Sequence, residues 1–357
     1  MSIALLRANH VRNLVDVEIQ PHPQLNIIFG ENASGKTSLL EAIYFLSTAK
    51  SFRTHRITHV IQYGQDKLSL FCRIKKNQQT HQIGVERSRN KTTIRVDRES
   101  IQRLSVLTRQ LPIQLITPQV NSLLEQGPKM RRRFLDWGVF HVKPDYLNDW
   151  RRFHRMLQQR NASLRQRQSI QQVMAWNRAY VETAMKITST RRSYLNGIKE
   201  AVEEYTERLI GQLPTLNYQQ GWPEGADLEQ ILIETLEKDL DRGFSQMGPH
   251  RAELSFKFNG VPAQEVLSRG QTKLFISALQ LAQVTNLARE QGIQCVILID
   301  DLAAELDLSR RAALLDLLML TKAQVFITVT EASLLDIGSD QGCKLFHVER
   351  GLVTEVL

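Results

Sequence analysis

The chain has 357 residues, of which 42% are hydrophobic and 23% are charged. This composition can bury an ordinary core, which excludes a disordered chain, and no run of about 18 apolar residues predicts a transmembrane helix. The net charge of +9 is uneven, because residues 1–167 carry 28 Lys and Arg against 12 Asp and Glu, whereas residues 212–357 carry 12 against 20. A basic region indicates a polyanionic partner, although a solvated Arg-rich helix would have the same composition.

The three cysteines, Cys72, Cys295 and Cys343, are far apart and odd in number. Their spacing argues against a zinc site or a disulfide framework and suits the reducing cytoplasm. The first residues lack the charged and apolar segments of a signal peptide. We therefore expect a cytoplasmic protein.

The predicted elements describe an α/β core interrupted by helices. Hydrophobic periodicity predicts strands at 2–7, 15–20 and 25–29, a helix at 36–47, a strand meander over 67–97 and a strand at 113–117. Residues 145–211 contain no Pro and only two Gly, which predicts a pair of long helices packed side by side. After Pro214, the pattern predicts strands at 252–258, 294–299, 323–329 and 344–348, with helices at 269–290 and 309–320.

The strongest motif fits G-x-x-x-x-G-K-[ST] and lies between a predicted buried strand and a predicted helix. Glycines at both ends let the backbone amides turn toward phosphate oxygens, and the helix N-terminus adds a favourable dipole. Lys36 would reach the β- and γ-phosphates of ATP, and the Thr37 hydroxyl would bind Mg²⁺. The predicted ATP-binding residues are Gly30, Glu31, Asn32, Ala33, Ser34, Gly35, Lys36, Thr37 and Ser38.

A second motif, Ile297 to Asp301, is a buried strand that ends in two acids. Its first carboxylate, Asp300, is a candidate Mg²⁺ ligand beside the P-loop. Asp301 follows it and is a candidate general base for the attacking water. The predicted catalytic residues are therefore Lys36 and Asp301.

A third motif, Leu267 to Gln271, precedes a predicted helix and resembles the signature sequence of ABC-type ATPases. The resemblance implies that Ser268, Arg269, Gly270 and Gln271 bind the γ-phosphate of a nucleotide held by another subunit, since a helix N-terminus favours an anion. An ordinary Ser N-cap is the simpler interpretation of the pentapeptide alone. Arg269 stands where transporters have Gly, and this extra cation could assist binding.

Other positions are assigned by analogy to the same class. Residues 305–307 occupy the position of the D-loop, which contacts the dimer partner. Thr330 stands where the class carries a switch histidine, which implies slow hydrolysis. Gln119 is the best candidate for a further Mg²⁺ ligand, and Gln114 is a poorer one because it lies within a strand.

Lys36 and Asp300 are 264 residues apart with helices between them, as in the SMC-like branch of the ABC-type ATPases. Within that branch the chain resembles the RecF family of bacterial DNA replication and repair proteins. The similar segments are 11–14, 30–43, 51–53, 116–118, 127–129, 132–138, 159–162, 248–251, 267–271 and 299–301.

The resemblance implies an α/β fold: an ABC-type ATPase head, with a mixed sheet, helices and a P-loop, formed by residues 1–128 and 212–357. Residues 129–211 would be an inserted α-helical arm. It also implies an ATP- and Mg²⁺-dependent homodimer that clamps duplex DNA or single/double-strand junctions without sequence preference. Weak, DNA-stimulated ATP hydrolysis would reset the clamp. The dimer would act with RecR and RecO in recombinase loading, replication restart and the SOS response to DNA damage.

The basic residues offer candidates for contact with DNA phosphates. Arg133 is also basic, but it could form an ion pair with Asp136 in the core instead of contacting DNA. The DNA-contact candidates are Arg131, Arg132, Arg151, Arg152, Arg155 and Arg160.

Two other functions stay open. The first is an ATP-binding structural clamp without meaningful hydrolysis, which Thr330 and the short Asp301 side chain would fit. The second is a transporter-type ATPase subunit, which the Arg-rich insertion and the missing histidine disfavour.

Overall fold

The computed structural model describes residues 1–76, 78–117, 122–302, 306–335 and 342–356. They form two compact units, here called the sheet unit (Met1–Val120 with Lys273–Leu357) and the helical unit (Asn121–Thr272). The helical unit contains the predicted arm 129–211, and it also contains residues 212–272, which the sequence prediction assigned to the ATPase core. The functional division into head and arm stays a prediction.

The sheet unit contains an antiparallel meander with strand order β2-β1-β4-β5-β6-β7. Its long strands alternate buried and exposed residues, as expected for a sheet with one face on the core. The strands are β1 (Ser2–Val11), β2 (Leu14–Ile19), β4 (Lys67–Lys76), β5 (Gln79–Ser88), β6 (Thr92–Val96) and β7 (Glu99–Ser100).

The second sheet of this unit has the order β15-β14-β3-β13-β12-β8, and all of its pairs are parallel except β14 with β15. β12 and β13 are buried along their whole length, which is typical of parallel strands covered on both faces. The strands are β3 (Leu25–Phe29), β8 (Ile113–Ile116), β12 (Val296–Ile299), β13 (Gln324–Val329), β14 (Cys343–Glu349) and β15 (Leu352–Glu355).

Helix α1 (Lys36–Thr48) belongs to the core that both sheets share. Leu39, Ile43 and Leu46 are fully buried and form one cluster with Leu6 of β1 and Leu298 of β12. The packing therefore fixes the helix that begins at the P-loop. Helices α2 (Leu104–Gln110) and α12 (Leu308–Leu320) also lie in this unit.

The helical unit is built around α5 and α7, which pack against each other through Phe153 and Tyr180, whose ring centroids are 5.2 Å apart. The predicted pair of long helices is therefore present. The helices are α3 (Ser122–Glu125), α4 (Pro128–Val142), α5 (Tyr146–Arg165), α6 (Ile170–Met174), α7 (Asn177–Ile210), α8 (Leu228–Glu234), α9 (Leu236–Arg242) and α10 (Ala263–Val266). A small antiparallel sheet consists of β9 (Thr215–Gln219), β10 (Glu253–Phe258) and β11 (Val261–Pro262). Helix α11 (Arg269–Gln291) begins in this unit, and its residues from Lys273 onward belong to the sheet unit.

Asp136 in this unit pairs with Arg191, whose Nη2 lies 2.7 Å from the carboxylate. The expected pairing with Arg133 is wrong, because the Arg133 side chain is exposed and, in the described part of the chain, donates only to the Met130 sulfur. Arg191 comes from α7, far along the chain, so local spacing could not reveal it. Among the described residues, no helix is long and apolar enough to cross a membrane.

Candidate nucleotide-binding site

The predicted P-loop follows β3 and ends where α1 begins. Gly30 has φ 148°, and a Cβ there would lie 2.2 Å from the Val348 carbonyl oxygen. Gly35 has φ 125°, and a Cβ there would lie 2.9 Å from Asn13 Nδ2. Only glycine fits both positions, and the loop can therefore turn its amides toward a bound anion.

Lys36 lies over this loop, and its Nζ donates to the carbonyl oxygens of Gly30 at 2.6 Å and Glu31 at 2.8 Å. Partial burial lowers the pKa of Lys36, while Asp301 and Asp300 act in the opposite direction. Both hydrogen-bond partners are neutral carbonyls, so a phosphate would be a stronger partner for the ammonium. The side chain is available to a nucleotide at a small cost in hydrogen bonding.

The end of β12 brings Asp300 to the P-loop. The Thr37 hydroxyl donates to Asp300 Oδ1 at 3.0 Å, and the Thr328 hydroxyl from β13 donates to the same oxygen at 2.8 Å. A hydroxyl and a carboxylate that meet in this way form the hard oxygen donor set that Mg²⁺ prefers. The residues present therefore fit the predicted magnesium site.

Asp301 follows directly and has φ 52°, in the left-handed region. Its amide donates to Thr328 Oγ1 at 2.8 Å, and its carbonyl accepts a 3.2 Å bond from Lys273 Nζ. Two hydrogen bonds therefore hold a backbone conformation that Asp adopts at some cost. Asp301 and the exposed Thr330 both line the cleft above the P-loop.

This cleft has a volume of about 800 Å³, and all of its lining residues belong to the sheet unit. Its lining also includes Arg12, Asn13, Arg53 and Tyr63, to which the sequence analysis assigned no role. The first three lie in segments that carried the family resemblance. Tyr63 is fully exposed, and no pattern in the sequence singled it out.

The sequence matches the family described as the RecF/RecN/SMC N terminal domain over residues 2–354. It is 39% identical to the DNA replication and repair protein RecF of Shewanella sp. strain MR-7 and 38% identical to that of Shewanella loihica, with full coverage of each pair. The chain belongs to the RecF family.

Solved structures agree on the fold of this RecF-family chain. The recombination mediator protein RecF with ATP aligns with a TM-score of 0.86 at 22% identity, covering 100% of this chain and 98% of the other. An Smc head bound to the C-winged helix domain of ScpA aligns with a TM-score of 0.62 at 14% identity, covering 100% and 97%. The predicted fold class, an ABC-type ATPase head with a helical insertion, is confirmed.

The signature segment of this RecF-family chain forms the N-terminus of the 23-residue helix α11. Ser268 Oγ accepts a hydrogen bond from Gln271 N at 3.3 Å, and Gln271 Oε1 accepts one from Ser268 N at 3.0 Å. This reciprocal capping box fixes the first turn while Ser268 and Arg269 stay exposed. The remaining amides of the turn can meet an anion from outside the chain.

The D-loop assignment is only partly described. Asp307 caps α12 by accepting from Arg310 N at 2.9 Å, and this hydrogen bond lowers the pKa of its carboxyl. Glu305 and the candidate magnesium ligand Gln119 lie outside the described residues. Gln114, the poorer candidate, is buried within β8.

The predicted DNA-contact arginines separate by burial. Arg160 is fully buried and donates to Asp239 at 2.7 Å and to Ser245 at 2.6 Å. It cannot reach a phosphate, so its prediction as a DNA-contact residue is wrong. The prediction that Arg131 contacts DNA is wrong for a similar reason, because Arg131 forms two hydrogen bonds to Glu253 and its side chain is only 13% exposed. Arg132 is half-buried, donates to the Ala252 carbonyl oxygen and has a pKa lowered mainly by burial.

The other three candidates, Arg151, Arg152 and Arg155, are exposed on α5. Arg151 and Arg155 have no ion pair among the described residues, and Arg152 lies 3.9 Å from Glu182. These three can reach an anionic partner.

Proposed function

We propose that this chain binds ATP with Mg²⁺ and forms an ATP-dependent homodimer that holds DNA during recombinational repair and replication restart. The observation that carries the proposal is the convergence of Lys36, Thr37 and Asp300 in one cleft. The relatives named DNA replication and repair protein RecF support the assignment to DNA repair. The proposed functional domains are the head (1–128 and 212–357) and the helical arm (129–211).

In the proposed site, the P-loop amides and Lys36 bind the phosphates. Thr37 and Asp300 would hold Mg²⁺, which supplies positive charge where negative charge develops during phosphoryl transfer. Asp301 would orient and deprotonate the attacking water. Since Thr330 occupies the place of the switch histidine, we expect slow hydrolysis that DNA stimulates weakly.

The exposed N-terminus of α11 supports the proposed dimer. Ser268 and the neighbouring amides offer an anion site, and we propose that this site receives the γ-phosphate bound by the partner subunit. Each ATP would then lie between a P-loop and a signature. Nucleotide would therefore control assembly.

This mechanism is tested by measuring the mass in solution with and without ATP and Mg²⁺. We expect ATP to convert monomer to dimer, and we expect Lys36→Arg and Ser268→Arg to abolish the change. A matched control is Ser169→Arg, because Ser169 caps α6 through the same capping box with Gln172. Loss of either cap should cost about 1 kcal/mol of stability, but only Ser268→Arg should prevent dimerisation. If ATP leaves the mass of the wild type unchanged, the proposal that the signature of one subunit binds the nucleotide of the other is refuted.

DNA would bind through phosphate contacts, so duplexes and single/double-strand junctions should bind without sequence preference. Arg151, Arg152 and Arg155 are the favoured contact residues because they are exposed. The RecFOR pathway named for the related solved structure supports RecR and RecO as partners in loading the recombinase. Such a role places the protein in the cytoplasm.

A second candidate function is a structural clamp that binds ATP without meaningful hydrolysis, and Thr330 at the cleft favours it. Single-turnover hydrolysis by wild type and Asp301→Asn separates the two. A rate that falls by about a hundredfold or more would support Asp301 as the base. Equal rates would remove Asp301 from catalysis, and a wild-type rate close to the uncatalysed one would favour the structural clamp.

A further inference from the structure

We propose that Glu41 is a positioning residue for nucleotide binding. Its buried carboxylate holds two segments at the cleft: the turn at Arg12–Asn13 and the loop at Ser51–Arg53. The inference rests on the proposed ATP-binding function and adds to it a residue that touches no nucleotide.

Glu41 is a charged residue in the middle of the apolar helix α1. Its side chain is 0% exposed, and its helix neighbours Leu40, Ala42 and Ile43 are equally buried. One carboxylate oxygen accepts from Arg12 Nη2 at 2.8 Å and from the Ser51 hydroxyl at 2.5 Å, and the other accepts from Arg12 Nε at 2.7 Å. The charge is therefore fully partnered, as a buried carboxylate requires.

The first segment leads from Glu41 to the P-loop. Arg12 has φ 58°, which is unfavourable for arginine, and its bidentate bond to Glu41 helps to hold it there. The next residue, Asn13, donates to the Ser34 carbonyl oxygen at 2.9 Å and accepts from the Ser38 hydroxyl at 2.9 Å. Glu41 thus fixes the turn that holds the C-terminal half of the phosphate loop and the first turn of α1.

The second segment leads from Glu41 to a cation at the cleft. Ser51 Oγ, which donates to Glu41, also accepts from the amides of Arg53 at 2.9 Å and Thr54 at 3.0 Å. The Arg53 side chain is 46% exposed, and its Nη1 lies 3.8 Å from a Glu41 carboxylate oxygen, which is a loose ion pair. Its loop is fixed, but its charge stays available to a phosphate.

These contacts indicate that the Glu41 carboxylate positions groups at the cleft and does not merely fill space in the core. A core position needs no carboxylate, because replacing a buried ion pair with apolar residues is often neutral or stabilising. Arg12 and Arg53 both line the nucleotide cleft. The buried charge therefore serves to place groups that face the phosphates.

The test compares Glu41→Gln with Glu253→Gln. Glu253 is the matched control because it accepts the same bidentate pair of bonds, at 2.7 and 2.8 Å, from Arg131 in the helical unit. Calorimetric titrations with ATP, ADP and AMP are made in Mg²⁺, well below each melting temperature. We expect Glu41→Gln to weaken ATP binding by roughly 10- to 100-fold, as for a lost charge-assisted contact, and Glu253→Gln to leave it unchanged. The loss should be smaller for AMP, because Glu41 places groups that meet the phosphates.

Equal affinities for wild type and Glu41→Gln, or an equal loss for all three nucleotides, would overturn the proposal and leave Glu41 structural. If wild type itself binds no ATP, the proposed function fails, which is a different result. Should Glu41→Gln not fold, Asn13→Ala and Ser51→Ala interrupt the two segments separately. Each should weaken ATP binding several-fold, and unchanged affinity in both would refute the inference.

Discussion

The two units of this protein both bury charged side chains, but they use them differently. In the helical unit, Arg160 and Asp239 are both 0% exposed and bind each other at 2.7 Å. In the sheet unit, Glu41 is equally buried, but its partners Arg12 and Arg53 are 19% and 46% exposed. In a closed pair both charges depend on each other and neither can reach a ligand, whereas an open pair keeps donor capacity that a ligand can use.

The largest expected effect comes from breaking the closed pair. Asp239→Ala would leave the Arg160 guanidinium buried without its carboxylate, which should lower the free energy of unfolding by about 3–5 kcal/mol. Urea denaturation measures the loss. Glu224→Ala is the control, because Glu224 is 82% exposed beside Arg192 and its removal should change stability by less than about 1 kcal/mol. Similar losses in the two variants would mean that burial does not distinguish closed from open pairs.

The next effect depends on pH. Burial lowers the pKa of His250 from its ordinary value of 6.5 to about 4, against the opposing hydrogen bond to the Ser245 carbonyl oxygen. Between these values the unfolded chain binds more protons than the folded one. The free energy of unfolding should therefore fall as pH drops through this window, by up to about 3 kcal/mol from this residue.

Denaturation at several pH values checks the histidine. His250→Gln keeps a donor near Ser245 but cannot titrate, so its stability should depend less on pH between about 4 and 6.5. His55→Gln serves as the control, because His55 is exposed. If wild type and His250→Gln lose stability in parallel, His250 does not contribute to the pH dependence.

Sequence reasoning predicted the parts of this molecule that depend on local pattern. Strand β3, the P-loop and α1 follow from an apolar run, two glycines and helical periodicity. The approach of Asp300 to Thr37 follows because parallel strands end at the same edge of a sheet. These rules need no knowledge of distant residues.

The rest depends on contacts between segments far apart in the chain. Arg155 and Arg160 lie on one helix with similar neighbours, yet only Arg160 meets Asp239, a residue 79 positions away. The role proposed for Glu41 depends on a turn 29 residues before it. A charged residue inside the apolar run LLEAI was the one available signal, and it gave no partner.

A smaller effect should distinguish the exposed arginines from the buried ones on α5. Arg151 and Arg155 are four residues apart and so share a helix face. Changing both to Ala should weaken binding to duplexes of any sequence. It should also reduce the slope of log affinity against log salt by up to about 2, because binding releases fewer counterions when fewer phosphates are contacted. Fluorescence anisotropy at several salt concentrations measures both quantities.

Arg208→Ala is the control for DNA binding, because Arg208 is 51% exposed but pairs with Glu204 at 2.8 Å. Its salt slope should match wild type. An unchanged slope in the double variant would remove this face of α5 from the DNA-contact surface.

The smallest effect concerns the open pair of Arg152 and Glu182, which lie 3.9 Å apart with 58% and 62% of their side chains exposed. A double-mutant cycle with Arg152→Gln and Glu182→Gln should give a coupling energy of about 0.5 kcal/mol or less, since water screens both charges. Added salt should remove even that. A coupling above about 1 kcal/mol would show that exposure alone does not decide what an ion pair contributes. Arg152 would then be grouped with Arg160 as a structural residue, and its charge would no longer be counted as available to DNA.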